Sequence, residues 1–150
     1  GIFDDGVDLL RDPAQLGGQW SVGYGNEFDA RVSLADLVAE VEVISLQTNS
    51  DLDGLEAKRI VVSVVRELFG LAPARNLALL SRPEALGYTL IQRHEGQLSG
   101  KFVAFIRFFE GEGGALEHHF HLSPASKQVL EATRTKVSAR VDEERNNQGR

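Results

Sequence analysis

Three stretches decide the fold: Tyr88–His94 (YTLIQRH), Lys101–Phe109 (KFVAFIRFF) and Ala115–Leu122 (ALEHHFHL). Each is rich in aromatic or branched residues, and each is bounded by a glycine-bearing connection, Glu95–Gly100 and Glu110–Gly114. That pattern predicts a three-strand antiparallel meander over 88–122. Side chains alternate across a strand. In the third stretch Leu116, His118, Phe120 and Leu122 therefore share one face, and Glu117, His119 and His121 the other. The middle stretch is apolar on both faces, the mark of a central strand. A five-residue loop sets Arg107 opposite Glu117 as a cross-strand ion pair.

Outward from the meander, Leu34, Leu37, Val38, Val41 and Ile44 form a helical stripe, but residues 41–48 are β-branched. The reading is a short helix over 33–40 and a strand over 41–48. Asn49–Gly54 reads as a turn that caps an amphipathic helix over 55–69, with Gly70 as its left-handed terminator. Pro73 starts a second short helix holding Leu77, Leu79 and Leu80. Ser123-Pro124 opens a C-terminal helix over 124–145 with a thin stripe, Val129, Leu130, Val137 and Val141. In the first 30 residues, one helical turn at Val7–Leu10 precedes a weakly ordered, glycine-rich loop or edge strand around Trp20 and Tyr24. Residues 146–150 read as a frayed tail. The expected fold is α+β: one domain over 1–150, with a mainly antiparallel sheet (the 88–122 meander plus one or two further strands) packed against helices 55–69 and 124–145.

The 150 residues are 42% hydrophobic and 25% charged, an ordinary globular composition. Cysteine is absent, which excludes disulfides, Cys-ligated metals and thiol catalysis. The net charge of -6 argues against a nucleic-acid partner. It divides unevenly: two bases face 11 acids in residues 1–54, and 14 bases face 11 acids thereafter. No apolar run reaches the roughly 20 residues of a membrane helix, so no membrane insertion is expected. The chain opens Gly1-Ile2-Phe3-Asp4-Asp5 without Met, so it reads as processed or as a piece of a longer protein. With no signal segment in view, the default compartment is the cytoplasm.

Among chemical motifs, Glu117-His118-His119-Phe120-His121 is the sharpest. His119 and His121 at i, i+2 on one strand face, with Glu117 continuing it, are the candidate ligands for a divalent metal. The bland alternative is a solvated strand face. His94 is the obvious further ligand, yet the meander puts it two strands away, about 10 Å. His119-Phe120-His121 also resembles the metal-binding strand of HUH endonucleases, which nick single-stranded DNA. That resemblance implies a catalytic Tyr on a helix, and the following helix has none; the only two are Tyr24 and Tyr88. No catalytic residue is assigned, and no cofactor is expected apart from the metal alternative.

The function expected is a non-enzymatic protein-interaction or assembly module, with a protein partner or a second copy bound through Trp20, Tyr24, Leu130, Val137 and Val141. One alternative is a small apolar-ligand binder, with Phe102, Phe105, Phe108, Phe109 and Tyr88 lining a pocket between a curved sheet and a helix. The other is a metalloenzyme using His119 and His121.

Overall fold

A computed structural model describes residues 2–13, 19–50 and 56–149. The architecture is α+β: a six-stranded curled sheet and three α-helices. The strands are β1 (Gly6–Val7), β2 (Leu37–Ser50), β3 (Glu56–Phe69), β4 (Asn76–Ser81), β5 (Gly100–Glu110) and β6 (Leu116–Pro124); the helices are α1 (Gln19–Leu34), α2 (Tyr88–Arg93) and α3 (Lys127–Gln148). The sheet order is β1-β6-β5-β2-β3-β4. All neighbours pair antiparallel except β1, which runs parallel to β6, so the sheet is mixed.

Two of the three deciding stretches are strands, and β5 is central, between β6 and β2. The first is not a strand. Residues 88–93 are helix α2, whose buried Tyr88 and Ile91 lie three apart, the helical spacing. The seat beside β5 belongs to β2 instead. The register also differs from expectation: Arg107 pairs with His119, and Glu117 with Phe109, over which the Arg107 guanidinium lies at 5.3 Å.

The expected helix at 55–69 is strand β3. Its run Ile60-Val61-Val62 with Val64-Val65 is apolar enough to satisfy a helical stripe and a strand alternation together. β-Branched side chains favour the strand, and Ile60 and Val62 are buried while Val61 and Val65 turn out. The expected helix at 33–40 gives way for the same reason. α1 ends at Leu34 and β2 starts at Leu37, where Leu37, Val38, Ala39 and Val41 are buried on both faces. The expected helix after Pro73 is β4, alternating buried Leu77, Leu79 and Ser81 with exposed Ala78 and Leu80. Gly70 does adopt φ +77°, but in the β3–β4 turn, where a Cβ would lie 2.1 Å from the Asp36 carbonyl oxygen.

In the first 30 residues, Val7 lies in β1 and Gln19–Leu34 form a helix where a loop was expected. Packing overrides the glycine content: Phe28 and Val32 are buried against the sheet, Phe28 edge-on to Phe105 at 5.8 Å. α3 starts later than expected. Ser123-Pro124 closes β6, and Ser126 is the true cap, its hydroxyl accepting from the Val129 N–H at 3.1 Å. The helix continues through Gln148, into the stretch read as frayed.

The sheet separates two cores. The inner one gathers Leu37, Ala39, Val41, Ile60, Val62, Leu77, Leu79, Phe102, Ala104, Ile106, Phe120 and Leu122, joined by Ile91 and Leu98. The outer one joins α1 and α3 to Val38, Val103 and Phe105. β1 laces the two edges of the rolled sheet. It pairs with β6 on one side, while the Ser81 hydroxyl of β4 donates to the Asp5 carbonyl at 2.6 Å and the Gly87 N–H to the Asp4 carbonyl at 2.8 Å.

Candidate functional site

The alternation of β6 sends Phe120 and Leu122 into the inner core and leaves His119, His121 and Ser123 on the opposite face. Over that face runs the N-terminal segment, fixed by backbone hydrogen bonds from Asp5 to Phe120 and from Asp8 to Leu122, both 2.9 Å. It lays three carboxylates on the histidines. Asp4 Oδ1 meets His121 Nδ1 at 2.8 Å, and Asp8 Oδ2 meets His121 Nε2 at 2.8 Å. Asp5 Oδ2 meets His119 Nδ1 at 2.8 Å. The Ser123 hydroxyl donates to Asp8 at 2.5 Å, and the Phe120 N–H donates to Asp5 Oδ1 at 3.1 Å. Asp5 sits at φ +53°, a conformation that Asp tolerates better than most residues; the bonds around it hold it there.

His121 is buried. Desolvation alone would lower its pKa, but hydrogen bonds to Asp4 and Asp8 outweigh that and raise it above 6.5, with the Arg31 charge opposing them. Arg31, itself buried on α1, donates to the Ile2 carbonyl at 2.9 Å and pairs with Glu27 at 3.2 Å. Asp5 is pushed above 3.8, chiefly by burial, with the His119 hydrogen bond and charge pulling it back only in part.

Glu117 and His119 share the expected face, Glu117 Oε2 lying 3.7 Å from His119 Nε2. His121 shares it too, but both its nitrogens face carboxylates on opposite sides of the ring. Among the described residues, no three His, Asp or Glu side chains are placed to hold one metal ion. His94 follows α2 and donates its N–H back to that helix, outside this cluster. Nor does a nucleophile meet a base here, since the Ser123 hydroxyl points to Asp8 rather than to an imidazole nitrogen. The cluster is a saturated polar clamp. Its aspartates went unassigned in the sequence, although an acidic amino-terminal stretch and an outward pair of histidines are complementary.

Of the residues expected to meet a partner, Val137 is buried, and Leu130 and Val141 pack against the outer core. The thin stripe of α3 thus docks on its own sheet. Trp20 and Tyr24 lie on α1; their side chains fall outside the described residues. The phenylalanines proposed to line a pocket are divided: Phe102 and Phe105 are buried in the inner and outer core respectively, Phe108 borders the inner core, and Phe109 is exposed. Tyr88 is buried on α2.

The helices do not cover the whole outer face. The outer core reaches β2 only at Val38 and β3 only at Leu68 and Phe69. Beyond that, Glu42, Ile44, Arg59, Val61, Ala78 and Leu80 face outward and, among the described residues, belong to neither core. Ile44 is 55% exposed and has no partner in the β2–β3 register, which shifts between Val43 and Ser45. Glu42 pairs in register with Ser63 on one side and Lys101 on the other, and Arg59 with Gln47 and Leu80. Neither Glu42 nor Arg59 forms an ion pair among the described residues. Among the described residues, no helix is long and apolar enough to cross a membrane. No protein-family model matches the chain, and neither a curated protein nor a solved structure shows significant similarity to it.

Proposed function

We propose that this chain is a non-enzymatic assembly module that associates with a second copy of itself through the uncovered half of the outer sheet face. One observation carries the reading: Glu42 and Arg59, neither in an ion pair among the described residues, flank an exposed apolar centre. Glu42 lies opposite Ser63, and Arg59 is four residues further along β3. At the usual rise this separates them by about 13 Å. Midway between them stand Ile44 and Val61, with Ala78 beside Val61 in register.

That arrangement is self-complementary. A two-fold axis over Ile44 and Val61 sets each apolar centre on its counterpart and each Glu42 over the Arg59 of the other copy. Isologous contacts of this kind are the commonest route to dimers. Desolvating Ile44 supplies the non-directional attraction, and the two charge pairs set the orientation.

Light scattering across a concentration series tests the reading. The expected result is a mass rising towards twice 16.4 kDa. Ile44→Asp should stay at the monomer mass while keeping the wild-type unfolding profile. A wild-type protein that is monomeric at every concentration would contradict it.

A further inference from the structure

We infer that the cleft between Arg11 and Lys101 binds a small amphiphilic anion, a carboxylate or phosphate head on a short apolar body. The cleft is open, about 530 Å³, and adjoins the clamp, Leu9 following Asp8 and Pro124 following Ser123, while Lys101 stands in register with Glu42. Exposed Leu9 gives it an apolar wall, backed by the buried Phe102 and Pro124, and Gln97 and Ser99 add polar groups.

Its charge is exceptional for this molecule. The chain carries 22 acids against 16 Lys and Arg, yet no carboxylate lines the cleft among the described residues. Arg11 and Lys101 are exposed, and neither forms an ion pair among the described residues. Asp8, the nearest acid before Leu9, is turned to His121 and Ser123.

The backbone brings the two cations together. The Ser126 hydroxyl donates to the Arg11 carbonyl, and the neighbouring Ala125 N–H donates to the Lys101 carbonyl at 3.0 Å. Adjacent residues thus tether both walls. Lys101 has Glu42 in register on its β2 side, and an anion in the cleft meets the ammonium from the other side and the Arg11 guanidinium as well. The guanidinium offers a planar fork suited to carboxylate or phosphate oxygens, and the ammonium a point charge. The apolar lining favours a ligand that also carries a hydrophobic body.

Calorimetric titration with phenyl phosphate tests the site, with inorganic phosphate and benzyl alcohol as head-only and body-only probes. We expect saturable phenyl phosphate binding that weakens at least tenfold in the Arg11→Gln, Lys101→Gln double variant and falls with added salt. Both single probes should bind at least tenfold more weakly than phenyl phosphate. Both substituted side chains are exposed, and the double variant should unfold as the wild type does. Absence of saturable binding, or binding undiminished in the double variant, would overturn the site. Inorganic phosphate binding as tightly as phenyl phosphate would overturn the amphiphilic class of ligand.

Discussion

Asp8 and His121, 113 residues apart in the chain, meet at 2.8 Å through Oδ2 and Nε2, and Asp4 takes the other face of the same ring at 2.8 Å. Two carboxylates on one buried imidazole favour the imidazolium, which is why the folded pKa of His121 stands above 6.5. A raised basic pKa contributes stability that is fully present below the unfolded value and lost as pH rises through the folded one. Asp5, also raised, acts with the same sign but at acid pH, because its window opens at 3.8. We therefore expect the denaturation midpoint to fall as pH rises from about 6 to 9, and the slope to flatten in His121→Gln. Chemical denaturation at several pH values measures both.

Removing the imidazole leaves Asp4 and Asp8 facing each other across a partly buried gap. His121→Ala should destabilise the fold by about 3–5 kcal/mol near pH 6, and by less at higher pH. Proteolysis should then cut first within the N-terminal segment, whose hold on β6 has been broken.

The seam between β1 and α2 depends on two glycines. A Cβ at Gly87 would lie 2.3 Å from the Gly6 Cα, closer than any packed structure tolerates. Gly87→Ala must push β1 away from the residues after β4 and should cost about 2 kcal/mol or more. Gly96→Ala, with nothing within 4 Å of the added methyl, is the control and should be near neutral. Thermal unfolding of the pair reads the difference.

Arg140 joins the helices. Its Nη1 donates to the carbonyls of Val32 at 2.6 Å and Ala35 at 2.8 Å, at the end of α1, while its guanidinium lies 3.8 Å from the Phe69 ring centroid. Lys supplies a charge but neither the planar stack nor the fork. Arg140→Lys should lower stability by about 1–2 kcal/mol, with the loss of protection in hydrogen exchange concentrated at Val32–Ala35.

The sequence disclosed β5 by an aromatic and branched run set between two glycine-bearing connections, β6 by strict alternation, and the body of α3 by its thin apolar stripe. It misled at β2 and β3. A strand buried on both faces, such as Leu37–Val41, carries no alternation, and a five-residue β-branched run satisfies 3.6 and 2.0 periods alike. It misled also at Tyr88–Arg93, where aromatic and branched residues stand at helical spacing in only one turn and a half. The histidine face was legible from β6 alone. Asp4 and Asp8 were not, because a two-residue parallel strand leaves no pattern and only the closed sheet brings them to His121. Glu42 and Arg59 looked like ordinary surface charges until the β2–β3 register placed Ile44 and Val61 between them.

The central claim is that Glu42 of one copy meets Arg59 of the other around the Ile44–Val61 centre. Sedimentation of two reversed-charge variants tests it directly. Glu42→Arg alone and Arg59→Glu alone each place like charges in apposition and should be monomeric, whereas an equimolar mixture restores both pairs and should sediment as a heterodimer. Two variants that stay monomeric when mixed, or that dimerise as readily alone as together, would contradict the account.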